Sequence, residues 1–305
     1  MDLDYLVYRR FYERLRETER GGERLGLREW VARVAGLFDV IAPLRHREWP
    51  PGPSTGDEES RAWYREALFA LYAVSRASDL LIERGCPAGA ATPALGTTGG
   101  RMVNREALSA HEWFFDRVGL EHLPATDAFS PFHHEIFAVS TDEDAERVTV
   151  EDIVWPGFRF GDLLFCRAGV HVRVPSRLID VEVATTSTLY FTHRREPRRT
   201  ADLADGWGGN SQYRTAFHRF YDDPDGLHLN WDGERYLGDG HRPSERDANA
   251  ELPLDRRREL LLNRCFVTAP MPADEWDWFP YDDRLTLRTA TWPLDAGALR
   301  PDPNR

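Results

Sequence analysis

Two strand-like stretches decide the fold: residues 129–140, FSPFHHEIFAVS, and residues 157–174, GFRFGDLLFCRAGVHVRV. Both are rich in Val, Ile and Phe, which favour the pleated, half-buried surface of a sheet. With the following run at 179–193 they include four of the ten histidines: His133, His134, His171 and His193. The sequence therefore predicts a β-rich domain over residues 126–292, with the chemistry of the protein inside it.

Before this region the apolar residues follow a helical period. They recur every three or four positions at 2–20, 27–41, 58–84 and 105–120, which predicts four amphipathic helices within a helical region over residues 1–125. We expect the tail at 293–305 to be frayed. The predicted class is α+β: an N-terminal helical region, then an antiparallel β-sandwich or barrel with a few additional helices.

One hairpin register follows from charge pairing. With a four-residue loop at 175–178, Arg173 would face Asp180 and His171 would face Glu182, while the other face stays apolar. Shifting the register by one residue would break both patterns.

Three later elements complete the expected β-rich domain. Residues 227–237 predict a second hairpin around the turn-forming pair Asp232–Gly233, a helix is expected from about Asp255, and a last strand near 284–291.

Composition excludes several function classes. The net charge of −12 argues against a nucleic-acid backbone or an anionic membrane as partner. The 305 residues contain no lysine, so Schiff-base chemistry, a pyridoxal phosphate anchor and a Walker-type phosphate loop are excluded. Since no signal peptide or long apolar run is present, we expect a cytoplasmic protein.

The apolar strand around Glu135 points to a metal site. A carboxylate in such surroundings is strongly disfavoured unless it is paired or bound to a cation. An H-x-E pair with a distal histidine is a ligand arrangement of non-haem iron sites. The predicted ligands of a divalent metal, iron first and zinc or manganese as alternatives, are His133, His134, Glu135, His171 and His193.

Residues 131–174 resemble the metal-binding segments of the cupins, a double-stranded β-helix family. The resemblance is carried by HHEIFAVS at 133–140 and GDLLFCRAGVH at 161–171. It implies a small barrel whose mouth binds a divalent metal and a small polar substrate, with His133 or His134, Glu135 and His171 as ligands.

The resulting hypothesis is a metal-dependent enzyme, of the non-haem iron oxygenase or lyase type, acting on a small polar molecule. The charged residues of the neighbouring strands are the candidate catalytic groups: Arg167, Arg173 and Glu182.

Alternatives remain open at this point. Glu135 could simply pair with Arg167 or Arg173, and a Ser–His–Asp triad is compatible with the sequence although no G-x-S-x-G elbow is present. A different class is a non-catalytic binding, accessory or immunity-like protein. Its acidic aromatic surface at 275–283, EWDWFPYDD, would meet a protein partner.

Overall fold

A computed structural model describes residues 3–47, 57–86, 103–181, 184, 216–240, 252–263 and 283–301. In these ranges a group of helices precedes two open sheets, which confirms the α+β class. No helix among them is both long and apolar enough to cross a lipid bilayer.

The predicted N-terminal helices are confirmed, and polar caps explain where they begin. The side chains of Asp4, Asp57 and Asn104 accept hydrogen bonds from backbone N–H groups of the first helical turns. The helices are α1 (Tyr5–Glu17), α2 (Glu23–Arg28), α3 (Val31–Val40), α4 (Glu58–Gly85), α5 (Arg105–Arg117) and α6 (Leu254–Asn263), with short 3-10 turns at Ala42–Arg45 and Ala296–Ala298.

The strands form one large and one small sheet. They are β1 (Glu121–His122), β2 (His134–Thr141), β3 (Thr149–Trp155), β4 (Phe158–Phe160), β5 (Leu163–Cys166), β6 (Ala168–Val174), β7 (Tyr221–Asp223), β8 (Gly226–Leu229), β9 (Arg235–Tyr236) and β10 (Asp283–Leu287). The seven-stranded sheet has the order β1-β4-β5-β7-β8-β10-β9, and the three-stranded sheet the order β2-β6-β3. Most neighbours are antiparallel, but β2 pairs with β6 and β9 with β10 in parallel.

The hairpin predicted after β6 is wrong. Val181 lies in a helical turn, in which the Ala184 N–H donates to the Asp180 carbonyl oxygen at 2.8 Å. The neighbours of β6 are instead β2 and β3, so Arg173 donates to Glu151 on β3 at 2.6 Å and not to Asp180. Glu182 lies outside the described residues.

The hairpin predicted at 227–237 is also wrong, because β10 lies between β8 and β9 and pairs with both. A buried carboxylate stabilises this insertion. Asp283, fully buried, accepts hydrogen bonds from Arg257 at 2.6 Å and from Arg235 at 3.0 Å. Asp283 also belongs to the predicted acidic surface at 275–283, so its carboxylate does not contribute to that surface; the remainder of that segment lies outside the described residues.

The main hydrophobic core crosses position 125. Apolar residues of α1, α3, α4 and α5 pack in one cluster with Phe158, Leu163 and Tyr221 of the large sheet. The helical region and the large sheet therefore share a core.

The C-terminal tail is not frayed over its described part. Leu299 is buried and bridges to Leu287 of β10, and Pro301 bridges to Asp239. Residues 302–305 lie outside the described ranges.

A buried arginine joins three of the helices. Arg84 at the end of α4 donates from Nη1 to Glu23 of α2 at 3.1 Å, and from Nη2 to three carbonyl oxygens at the C-terminal end of α1 at 2.8–3.1 Å. The Leu15 carbonyl oxygen also accepts the Thr18 N–H at 3.2 Å, but carbonyls at a helix C-terminus lack their full set of helical partners, so the guanidinium caps α1 while it neutralises Glu23.

Replacing this arginine should weaken the fold strongly. We expect Arg84→Ala to lower the free energy of unfolding by about 3–5 kcal/mol, because Glu23 would be left buried without its charge partner. The matched control is Arg147→Ala, which removes an exposed pair with Asp127 and should change the free energy by less than about 1 kcal/mol. Urea unfolding of both variants measures the difference, and equal losses would contradict this account.

A glycine in β6 is required by close packing. A β-carbon on Gly169 would lie 2.1 Å from the indole ring of Trp155, which is buried and fixed by an N–H bond to the Arg167 carbonyl oxygen. We expect Gly169→Ala to lower the free energy of unfolding by about 1–3 kcal/mol. Gly36→Ala is the control. A β-carbon on Gly36, inside α3, would contact nothing within 4 Å, so this variant should leave the free energy of unfolding unchanged or raise it. Thermal melts that rank the two variants the other way would refute the packing argument.

Candidate functional site

A cavity of about 200 Å³ lies between the start of β2 and the β4, β5 and β7 strands of the large sheet. Its lining combines apolar side chains with charged and polar ones. The lining residues are Leu123, Pro124, Thr126, Phe132, His133, His134, Arg159, Asp162, Leu164 and Asp222. Pockets that combine an apolar body with a few convergent polar groups are the usual sites for small molecules.

The two adjacent histidines reach the cavity because a turn precedes β2. The N–H groups of His133 and His134 both donate to the Ser130 carbonyl oxygen, at 3.1 and 2.8 Å. His133 therefore lies in a turn and not in the strand predicted for it.

Arg167, a predicted catalytic residue, fixes this turn. Its Nε donates to the Phe132 carbonyl oxygen and its Nη2 to the Leu262 carbonyl oxygen, both at 3.0 Å. The guanidinium thus ties the turn to the end of α6. It is absent from the cavity lining, so its observed contacts are those of a positioning residue.

Ser130, His133 and Asp222 form a hydrogen-bonded relay. The His133 Nε2 lies 2.9 Å from Asp222 Oδ2, and its Nδ1 lies 3.0 Å from Ser130 Oγ. A carboxylate only accepts hydrogen bonds, so Nε2–H is the donor to Asp222 and Nδ1 is left to accept from the serine hydroxyl. A nucleophile, a base and a group that orients the base within hydrogen-bond reach are the mark of nucleophilic catalysis.

Unlike His133, which is partly exposed, His134 is buried. It is only 5% exposed, and its Nδ1 accepts the Ser130 N–H at 3.0 Å. Burial, together with the positive charges of His133 and Arg167, lowers its pKa to about 4. The imidazole is therefore neutral near pH 7, with its proton on Nε2.

A second histidine–carboxylate pair lies beside the cavity. His46 Nδ1 lies 2.6 Å from Asp162 Oδ2, and the Asp222 N–H donates to the Asp162 carbonyl oxygen at 2.9 Å. Asp162 follows Gly161 in the tight β4–β5 turn, where a φ of +62° favours glycine. The turn thus places Asp162 next to Asp222 of β7 in the cavity lining.

Besides the fully buried Ser78–His111 pair, two other hydroxyl–histidine pairs lack one of the features of this relay. Ser140 Oγ lies 2.8 Å from His171 Nε2, but the nearest carboxylate oxygen, of Glu151, lies 3.6 Å from the same nitrogen. The hydroxyl and the carboxylate share one ring nitrogen in that arrangement, so Glu151 does not hold the opposite nitrogen as Asp222 does for His133.

The other pair has a hydroxyl on one ring nitrogen and a carboxylate on the other, as in the relay, but it is buried. His228 lies 3.1 Å from Thr286 Oγ1 through Nδ1 and 3.1 Å from Asp223 through Nε2. Thr286 and His228 are 2% and 1% exposed, so no substrate reaches that hydroxyl. The Ser130 relay is the one of these three that adjoins a described cavity.

The predicted metal ligands do not converge in the described part of the chain. His134 lies opposite Ala168 and His171 opposite Ala138, so the two histidines are four positions apart along the β2–β6 pair, roughly 13 Å. Glu135 is buried opposite Gly169. Within the described ranges no group of three or more His, Cys, Asp or Glu side chains could hold a metal ion.

The remaining predicted site residues lie away from the cavity or outside the residues that the structure describes. Arg173 is half-exposed and binds Glu151 and Asp142 on the small sheet. Glu182 and His193 lie outside the described residues. A divalent metal held by the predicted set stays a prediction.

Sequence reasoning found the two histidines but missed their partners. Ser130 precedes His133 by three residues, a spacing that suits a turn in which a hydroxyl meets a nearby imidazole. Asp222 comes 89 residues after His133, and no local pattern connects them. His46 lies in a predicted loop, and no sequence motif around it indicated a functional residue.

The neutral state of His134 can be tested by titration. Between its ordinary pKa of 6.5 and the folded value of about 4, the unfolded chain binds a proton that the folded chain does not. The free energy of unfolding should therefore fall as pH drops through this window, by up to about 3 kcal/mol. Imidazole NMR should show His134 neutral at pH 5.5, and this part of the pH dependence should vanish in His134→Gln but persist in His122→Gln. A measured pKa near 6.5 would contradict the assignment.

Comparison of the chain with protein-family models, with curated proteins and with solved structures gave no match in any of the three. The resemblance to the cupins therefore stays a prediction, and the case for function depends on the geometry of the cavity.

Proposed function

We propose that the protein is a serine-dependent hydrolase or acyl transferase that acts on a small ester-like molecule in this cavity. The observation that carries the proposal is the Ser130–His133–Asp222 relay beside the lining of a cavity. Such triads occur on unrelated folds and are recognised by geometry and roles, so a G-x-S-x-G elbow is not required.

Each residue of the relay has a defined part. Ser130 attacks the acyl carbon, and its proton moves to Nδ1 of His133, 3.0 Å away. The imidazolium that forms is stabilised by the Asp222 carboxylate on Nε2, 2.9 Å away. His133 then donates the proton to the leaving group, and a water molecule or second acceptor completes the transfer.

The positions of the groups fit this chemistry. His133 has 23% of its side chain exposed and Asp222 has 48%, so the base can exchange protons with solvent. The apolar residues Phe132, Leu123 and Leu164 give the acyl part of a substrate a water-poor surface.

The metal-dependent oxygenase or lyase predicted from sequence is a separate class of enzyme, and chelation distinguishes it. A serine-dependent reaction should persist in excess EDTA. Activity that disappears with EDTA and returns with iron, zinc or manganese would support the metal-dependent class instead.

The test uses a fluorophosphonate probe and p-nitrophenyl acetate. We expect the probe to label Ser130, located by peptide mass spectrometry, and Ser130→Ala to lose labelling and at least about 10³-fold in kcat. His133→Gln should lose about 10²–10⁴-fold in kcat. Ser140→Ala is the matched control, because it removes a serine whose histidine partner, His171, does not line the cavity as His133 does, and it should keep wild-type activity.

The outcomes separate cleanly. Labelling confined to Ser130, with activity lost in the Ser130→Ala and His133→Gln variants and kept in Ser140→Ala, supports the proposal. No labelling of Ser130 in folded protein, or equal activity of the Ser130→Ala and Ser140→Ala variants, removes it.

A further inference from the structure

We infer that the cavity selects ligands that carry a small positively charged group, an ammonium or a guanidinium, and that the carboxylate of Asp162 is the specificity-determining group that binds it. For the proposed hydrolase the substrates are then cationic esters, and this part of the inference rests on the proposed function. The cation site itself does not depend on which residue is the nucleophile.

Asp162 lies directly opposite Asp222 where β5 pairs with β7. The Asp222 N–H donates to the Asp162 carbonyl oxygen at 2.9 Å, and the Leu164 N–H donates to the Phe220 carbonyl oxygen at 2.8 Å. In an antiparallel ladder such bonds join directly opposed residues at every second position. The two aspartates are therefore an opposed pair, with Cα atoms about 5.5 Å apart.

Both carboxylates lie on the cavity side of the large sheet. Successive residues of a strand point to opposite faces. Leu163 and Tyr221, which adjoin the two aspartates in sequence, pack in the core that the sheet shares with the helices. Asp162 and Asp222 therefore project from the other face, and both line the cavity. Like charges directly opposite each other are destabilising, and a cation bound beside them removes the repulsion.

Asp162 has a carboxylate oxygen that a ligand can reach. Its Oδ2 lies 2.6 Å from His46 Nδ1, whereas Oδ1 has no hydrogen-bond partner among the described residues. The side chain is 32% exposed, and Oδ1 is accessible. A neutral imidazole supplies the N–H that Oδ2 accepts and leaves the carboxylate its charge. Because a carboxylate only accepts hydrogen bonds and binds charged donors most strongly, its natural ligand is a cation.

The surrounding charges favour a cation over an anion. The lining contains two carboxylates and one guanidinium, that of Arg159, whose Nη2 lies 2.9 Å from Glu121 of β1. His134 adds no positive charge near pH 7, since burial lowers its pKa to about 4. The chain as a whole carries a net charge of −12, which attracts cations from solution. An anionic ligand would instead meet both aspartates.

The volume and walls of the cavity fit a cation attached to a ring. A cavity of about 150 Å³ lined by apolar side chains holds benzene, and this one has about 200 Å³. The apolar part of such a ligand contacts Phe132 and Leu164 of the lining, while its charged group binds Asp162.

The relay sets the distance between the cation and the reacting carbon of a substrate. From Asp222, which lies opposite Asp162, the relay passes through the imidazole of His133 to Ser130, with hydrogen bonds of 2.9 and 3.0 Å on either side of the ring. A substrate that contacts both Asp162 and Ser130 therefore needs a spacer of about one aromatic ring between its cation and its acyl carbon.

Benzylamine and benzyl alcohol are the binding probes, because they have nearly the same shape and only benzylamine is a cation at neutral pH. NMR titration, followed on the imidazole signals of His133 and His134, should show benzylamine binding about 10–100-fold more tightly, the range for a hydrogen bond to a charged group. Asp162→Asn should abolish this preference. Asp116→Asn is the matched control and should keep it, because Asp116 also bonds a histidine, His122 at 2.7 Å, but does not line the cavity.

Esters of the same two shapes test the substrate class. We expect the p-nitrophenyl ester of p-(aminomethyl)benzoic acid to be hydrolysed with a kcat/KM about 10–100-fold above that of the p-(hydroxymethyl)benzoic ester, for the same reason. The preference should disappear in Asp162→Asn and persist in Asp116→Asn.

The two measurements distinguish the cation site from the reaction. Equal affinities of the wild-type protein for benzylamine and benzyl alcohol overturn the inference even if Asp162→Asn does not fold, and so does a preference that persists in the folded variant. Selective binding that requires Asp162, without hydrolysis of either ester, removes the hydrolase function and leaves the cation site. Hydrolysis of both esters with equal kcat/KM keeps the hydrolase function and overturns the cationic substrate class.

Discussion

The carbonyl oxygen of Ser130 accepts the N–H groups of both His133 and His134, and the cavity depends on this pair of hydrogen bonds. They close the turn that starts β2 and present two consecutive imidazoles to the same space. Arg167 holds the turn from the other side through the Phe132 carbonyl oxygen. In an extended strand consecutive side chains would point to opposite faces, and one histidine would be lost to the cavity.

Local periodicity was enough to predict the helices, since each of the four N-terminal segments buries its apolar stripe and three of them begin at a polar cap. The two hairpins could not be predicted in the same way. Both predictions assumed that strands adjacent in sequence pair with each other. Here β6 pairs with strands that precede it, and β10 arrives from more than fifty residues away to separate β8 from β9. Such pairings depend on burial across the whole sheet, as with the Asp283 carboxylate and its two arginines.

The candidate site, too, could be predicted only in part from local sequence patterns. The sequence identified His133 and His134 as residues of interest, because they precede Glu135, a carboxylate in an apolar strand, in a pattern typical of metal sites. His134 lies in a strand as predicted, but His133 lies in the turn that precedes β2. The carboxylate that completes the relay is Asp222, from β7, and only the pairing of β5 with β7 brings it near. Position in the sheet, and not spacing in the chain, sets that contact.

The two adjacent histidines differ in burial and in the charges that surround them. His133 is partly exposed and meets a carboxylate, so a proton arriving on its ring is stabilised by an opposite charge. His134 is buried, lies near the positive charges of His133 and Arg167, and has its Nδ1 occupied by a backbone N–H, so it resists protonation and keeps one donor. Each proton that His133 takes up also raises the cost of charging His134.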